Sequence, residues 1–182
     1  MNDSPSQIAA RRHAVRQLHA PGCFVIPNPW DVGSALYLQD LGFKALATTS
    51  SGFAWSRGHA DGALARGGVL AHLRDIVSAT DLPVNADFES GFAKDPAGVM
   101  ESVRLAVDTG VAGLSIEDST GDEAHPIYEI DVAIARLRAA RDPLDRTGGD
   151  PRPLGRARNF PGRRADRTAT HRTPLASGRA PA

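Results

Sequence analysis

The chain has 182 residues, 41% of them hydrophobic and 23% charged, enough for one globular domain with a core. Its 21 basic and 21 acidic side chains cancel, which argues against nucleic acid or an anionic membrane as partner. No apolar run approaches the roughly 18 residues of a membrane helix, and the opening MNDSPSQIAARRHAVRQ lacks the apolar core of a signal peptide. The single cysteine, Cys23, rules out an internal disulfide and fits a reducing cytoplasm. It is expected to pack as a small buried hydrophobe.

In chain order, residues 6–19 read as a helix ended by Pro21-Gly22. CFVIPN (23–28) is a short apolar run of strand type. Residues 31–42 form a helix with Asp31 as N-cap and Gly42 as its stop. KALATTS (44–50) is a second strand. Residues 66–80 hold a helix whose apolar stripe is Val69, Leu70, Leu73, Ile76 and Val77. LPVNADF (82–88) is a third strand. The helix over 95–110 has Asp95 as N-cap, Pro96 in its first turn and Gly110 at its end. VAGLSIED (111–118) is a fourth strand, and 129–141 a last helix.

A helix followed by strand–helix units implies parallel strands joined by crossover helices. Repeats of about 30 residues suit either a doubly wound sheet or a barrel. No G-x-G-x-x-G follows a strand, which weakens the dinucleotide-binding version.

The polar residues collect where the strands end. The first strand stops at Asn28, before Trp30-Asp31. The second stops in Thr49-Ser50-Ser51-Gly52, the third in Asp87 and Glu89, and the fourth in Glu117-Asp118. In an α/β barrel that edge carries the active site. Strand alternation puts Asn85, Asp87 and Glu89 on one face, and Ala86 and Phe88 on the other. Three polar groups on an inner face are costly if dry and unpaired. Two such carboxylates, joined by Glu117, repel each other unless a cation lies between them. Oxygen donors without a Cys or His cluster favour Mg²⁺ or Mn²⁺ over zinc. The plainer readings are an N-cap and a solvated loop acid for Asp87 and Glu89, and a capping pair for Glu117-Asp118. The hydroxyls and turn amides of Ser50-Ser51-Gly52 could hold a carboxylate or phosphate, or form an ordinary polar turn. Trp55 is either core or lid. His59 and His125 read as surface loop residues.

Three stretches, NPWDVGSALYLQDLGFKALATTSSGFAWSRGHADG, LPVNADFESGF and GVAGLSIEDSTGDEAHPIYEI, resemble the isocitrate lyase/phosphoenolpyruvate mutase superfamily. The likeness runs from about Phe24 to Arg141. The family form Asp-x-Asp-x-Gly-aromatic-Gly corresponds here to Asp87-Phe88-Glu89-Ser90-Gly91-Phe92-Ala93, with Glu for the second Asp and Ala for the last Gly. The resemblance implies a TIM-type (β/α)8 barrel, Mg²⁺ (or Mn²⁺) and a small 2-oxo or 2-hydroxy carboxylic acid as partner. It implies that Asp87, Glu89 and Glu117 hold the metal, directly or through water. Thr49, Ser50, Ser51 and Gly52, with Trp30, would bind the substrate, and Asp61 would lie near metal-bound water as a catalytic acid. Family chemistry makes or breaks a C–C or P–C bond through a pyruvate-type enolate. Full-length relatives are expected to be homo-oligomers. One departure stands out. Carbon–carbon lyases of the family carry a Lys-Lys/Arg-Cys-Gly-His segment after the fourth strand, whereas Ser119 to Tyr128 has no cysteine. A decarboxylase, hydrolase, mutase or other lyase stays open.

From Asp142 onward the chain has no valine and no isoleucine and is dense in Arg, Pro, Gly and Ala. Residues 1–141 read as the first four to five units of the barrel, and 142–182 as a disordered or out-of-frame tail. Gly155 to Phe160 (GRARNF) nearly matches the family's Gly-Arg-Ala-Glu-Asn-Phe, which would make Arg156 a substrate contact. The preceding DPRPL has two prolines and reads as excluding a central strand. Two further readings compete with an enzyme. One is a non-catalytic fragment of such an enzyme. The other is nucleic-acid binding through Arg156, Arg158, Arg163 and Arg164, which no nucleic-acid motif supports.

Overall fold

The computed structural model describes residues 5–20, 23–122, 124–146 and 153–156, with backbone alone at residues 5 and 153–156. Helix α1 (Pro5–Leu18) docks through Arg11, whose Nη2 donates to Thr80 O at 2.8 Å, and through buried Val15. Helix α2 (Val32–Asp40) begins in a capping box. The Ser34 amide donates to Asp31 Oδ1 at 2.7 Å, and the Asp31 amide donates to Ser34 Oγ at 3.1 Å. Gly42 then turns the chain with φ +86°, a conformation open to glycine.

Strand β1 (Leu46–Ala47), helix α3 (Ser50–Ser56), helix α4 (Arg66–Ala79) and strand β2 (Val84–Asp87) follow. Helix α5 (Pro96–Val107), strand β3 (Gly113–Glu117), helix α6 (Ile130–Asp145) and strand β4 (Pro153–Arg156) complete the order. The strands are parallel and lie side by side as β1-β2-β3-β4. A doubly wound sheet reverses its strand order at a switch point. This sheet does not, so the alternation resolves as an arc of a TIM-type barrel. Among the described residues the arc has four strands, where a closed barrel has eight.

The two faces of the arc differ as the period-two pattern requires. Ala86, Leu114 and Ile116 join Phe88 in the apolar cluster under α4, α5 and α6. All five stripe residues of α4, Val69, Leu70, Leu73, Ile76 and Val77, are buried there. Asn85, Asp87 and Ser115 face the other way. Helix α5 starts as expected, with Asp95 Oδ1 accepting from the Gly98 amide at 2.9 Å and Pro96 at the first turn.

Several expectations are corrected. Residues 23–28 form no strand. Pro27 and Pro29 have no N–H to donate, so the segment gives β1 only isolated bonds, Ala47 N to Pro27 O at 3.0 Å and Asn28 Nδ2 to Ala47 O at 2.9 Å. The strand expected over 44–50 shrinks to Leu46–Ala47 because Thr49 caps a helix instead. Ser50-Ser51-Gly52 is therefore the first turn of α3, not a free turn. Cys23 is exposed, not buried. Helix α6 runs to Asp145, past the expected end at Arg141. A strand does form here, β4, with Leu114 opposite Pro153 and Glu117 opposite Arg156, but at the edge of the described sheet, so the expectation that the prolines exclude a central strand is not contradicted. Pro153 is its first residue, where a missing donor is tolerated. Residues 157–182, including Arg158, Arg163 and Arg164, lie outside the described residues. No helix among the described residues is long and apolar enough to cross a membrane.

Candidate active site

A cavity of about 210 Å³ opens at the C-terminal ends of β1, β2 and β3. Asn28 forms part of its rim. Thr49, Ser50 and Ser51 come from the start of α3, Asp61 from the loop before α4, and Asp87 from the end of β2. Five residues singled out in the sequence as site residues thus meet in one place: Thr49, Ser50, Ser51, Asp61 and Asp87.

Asp87 is the most constrained of them. Its Oδ2 accepts from both the Ser50 amide and the Ser50 hydroxyl, each at 3.0 Å. Its own amide donates to Thr48 Oγ1 at 2.9 Å. Its Oδ1 is buried and has no hydrogen-bond partner. A carboxylate oxygen left dry and unpaired is costly, and Asp87 meets that cost at the wall of a polar cavity.

The Ser50 amide is taken by Asp87, and the Gly52 amide donates to Thr49 Oγ1 at 3.3 Å. The cradle therefore presents hydroxyls more than amides. Thr49 Oγ1 and Ser51 Oγ share a hydrogen bond of 3.1 Å. Gly52 is buried behind them. A Cβ there would stand 2.5 Å from Trp30 Cδ1 and Nε1, so the glycine lets the indole approach the turn closely. Trp30 is 44% exposed and meets Trp55 edge-on, ring centroids 5.9 Å apart. Trp55, 57% exposed, is thus not core.

The three acids expected to share a metal do not form one group. Among the described residues no three His, Cys, Asp or Glu side chains converge as a metal site. The reason lies in the backbone. Strand β2 ends at Asp87, and Glu89 turns left-handed with φ +46°, so the alternation that would align Glu89 with Asp87 is broken. Glu117 is buried at 7% exposure, and its amide donates to Glu89 O at 2.8 Å. Neither Glu89 nor Glu117 is part of the cavity wall. Arg156 enters by backbone alone, in register with Glu117. His59 and His125 are exposed.

Two wall residues escaped the sequence reading. Thr48, 4% exposed, fixes the Asp87 amide. Ser115 lies directly opposite Asp87 in the β2–β3 ladder. Its signal was legible: a serine two residues before Glu117 in an otherwise apolar strand shares that residue's face.

The donor set of the cavity wall fits a small hard cation that keeps several waters. Magnesium takes one or two carboxylates and keeps several waters, and the wall offers Asp87 and Asp61 with hydroxyl and amide oxygens around them.

The phosphoenolpyruvate phosphomutase family matches residues 15–155. A crystal structure from Burkholderia cenocepacia J2315, provisionally described as a lyase/mutase, is 45% identical with a TM-score of 0.84, over 87% of this chain and 58% of that one. An uncharacterized protein of Mycobacterium tuberculosis H37Rv is 37% identical over 66% of this chain and 44% of its own length. A 2-methylisocitrate lyase of Bacillus subtilis 168 is 27% identical over 79% of this chain and 51% of its own length. The chain thus spans about half the length of the curated relatives it matches. From the matched residues and the shared fold, the chain belongs to the phosphoenolpyruvate phosphomutase family, within the isocitrate lyase/phosphoenolpyruvate mutase superfamily.

Proposed function

We propose that the chain carries the binding half of a lyase-like site for a small 2-oxo or 2-hydroxy carboxylic acid, making or breaking a C–C or P–C bond by way of a pyruvate-type enolate. The observation that carries this reading is the buried, unpartnered Asp87 Oδ1 at the wall of a hydroxyl-lined cavity. Asp87 would hold a Mg²⁺ or Mn²⁺ ion, with Asp61, Glu89 and Glu117 reaching it through water. Such an ion supplies positive charge against the negative charge that develops on the substrate's oxygens.

The chain's own residues have separable tasks. Ser50 fixes the Asp87 carboxylate through two donors, so Oδ1 keeps one direction. The Thr49 and Ser51 hydroxyls can exchange their mutual bond for bonds to a substrate carboxylate. Trp30 packs against Gly52 and is not part of the cavity wall, so it would support the cradle from behind. Ser119 to Tyr128 has no cysteine, so proton transfer by a thiol after β3 is not part of this site.

Calorimetric titration with Mg²⁺ and with oxalate, an enolate mimic, tests the reading. The wild-type chain should bind oxalate only with Mg²⁺ present. Asp87→Asn should weaken Mg²⁺ by at least about tenfold while the melting temperature holds. Unchanged Mg²⁺ affinity in Asp87→Asn would refute it. The competing reading, a catalytically silent partial barrel, is suggested by the four strands among the described residues, and is supported if oxalate fails to bind under any condition.

A further inference from the structure

Arg136 on α6 has no part in the site described above, yet it is 1% exposed. Its Nη1 donates to Ala93 O at 2.7 Å and to Lys94 O, and its Nη2 donates to Ser90 O. Its guanidinium lies over the ring of Tyr128, with Cζ 4.1 Å from the centroid. Among the described residues no carboxylate makes a salt bridge with it. Burial pushes its pKa down from the usual arginine value, and the carboxylate whose charge opposes this is that of Asp95, the cap of α5. A buried cation is tolerated only where hydrogen bonds and aromatic faces satisfy it, and here two loops supply them.

The first loop follows β2 and bears Glu89. It holds three left-handed residues within four positions: Glu89 at φ +46°, Gly91 at +78° and Phe92 at +54°. Left-handed backbone at a glutamate and a phenylalanine is unfavourable and persists only where the surroundings over-determine it. Arg136 grips one carbonyl inside this kink, that of Ser90, and the two just after it, those of Ala93 and Lys94. The second loop follows β3. It closes on itself through the Ser119–Ile127 bridge, Thr120 N to Pro126 O at 3.0 Å and Tyr128 N to Asp118 O at 2.9 Å. Tyr128 stands just before Glu129, the N-cap of α6.

We propose that Arg136 is a positioning residue that couples these two loops, so that ordering of the loop after β3 and ordering of the Glu89 loop favour one another. The planar fork suits this task. It spans three carbonyls edge-on while its face takes the tyrosine, which a lysine ammonium cannot do. Where the site binds a cation as proposed above, the coupling extends to it. By reciprocity, a cation that orders the Glu89 loop also orders residues 118–128.

Hydrogen exchange on the full chain without any divalent cation tests the coupling. Tyr128→Leu alters the second loop alone. It should speed exchange in residues 88–95, where the Gly91 amide donates to Phe88 O at 2.8 Å, by at least about fivefold. Tyr128→Phe keeps the aromatic face and should leave that loop unchanged. Arg136→Lys should speed both loops. Faster exchange confined to residues 118–128 in Tyr128→Leu overturns the proposal, as does a uniform rise that includes the core amides of β2 and β3. Adding Mg²⁺ then separates the two claims. Slowed exchange at 118–128 in the wild type, absent in Arg136→Lys, supports the extension to the cation. No slowing in the wild type, with the metal-free coupling intact, refutes the cation reading and leaves the coupling standing.

Discussion

Gly52→Ala is the substitution whose outcome the structure constrains most. The glycine sits in the first turn of α3, buried, at ordinary helical backbone. Helix propensity alone favours alanine there by about 1 kcal/mol. Space opposes it. The added methyl would meet Trp30 Cδ1 and Nε1 at 2.5 Å and Thr49 Cγ2 at 2.6 Å. Each gap must open by about 1 Å to reach normal carbon contact. Overpacking of this kind costs about 1–3 kcal/mol, so after the propensity gain the net loss should be up to about 2 kcal/mol. For a domain of this size that is a fall in melting temperature of up to about 8 °C. Trp30 is partly exposed and can give way outward, whereas Thr49 is held by its own cap bond. The displacement should therefore fall on the indole. The chain has two tryptophans, Trp30 and Trp55, and they touch each other. Their emission should shift to the red and the pair should separate. A thermal melt followed by intrinsic fluorescence measures both effects. Unchanged melting together with unchanged emission would refute the packing argument.

Phe88→Ala removes a fully buried ring that meets Phe92 edge-on at 5.0 Å; chemical denaturation should show a loss of about 3–5 kcal/mol. Ser50→Ala deletes one of two donors to Asp87 Oδ2 and keeps the amide; the fold should lose about 1 kcal/mol, and Mg²⁺ affinity should fall less than in Asp87→Asn. His72 lies buried against Phe53, rings parallel within 7° and centroids 3.7 Å apart. Burial pushes its pKa below the usual 6.5, against the pull of Asp75 and Asp31, with Arg57 adding to the depression. A depressed histidine takes up a proton more readily when unfolded. Its contribution is complete above pH 6.5 and is lost as pH falls through the lower folded value. Melts between pH 5 and 8 should show this acid-side loss, and His72→Phe should flatten it; an equal slope in the variant would assign the loss to other groups.

The parts of the fold legible in the sequence were those where one local signal had no competitor. Asp31 and Asp95 cap their helices because each stands three residues before an amide it can reach. The α4 stripe was legible because five apolar residues follow one helical face. The errors arose where two signals conflicted. CFVIPN has strand composition, but its prolines remove the donors a ladder needs. Thr49-Ser50-Ser51-Gly52 has turn composition, but Phe53, Ala54 and Trp55 continue it as helix once Thr49 supplies a cap. At β4 the prolines argued against a central strand, and Pro153 is the first residue of a strand at the edge of the described sheet, where a missing donor is tolerated. The site was half legible for a related reason. Residue types and strand ends located Thr49 to Ser51, Asp61 and Asp87. The period-two rule then carried Glu89 one step too far, past the point where the strand had ended. Arg136 was illegible, since a single arginine on an amphipathic helix looks like any solvated one until its carbonyl partners are in place.

The exposure of Cys23 has a practical consequence. It is the chain's only thiol and it faces solvent. A maleimide dye will therefore attach at one position without mutagenesis, shortly before the Asn28 rim of the cavity, and can accept energy from the Trp30–Trp55 pair. The same thiol has no partner within its own chain. In an oxidising buffer it can pair only with another molecule, so a covalent dimer should accumulate on storage and vanish on reduction.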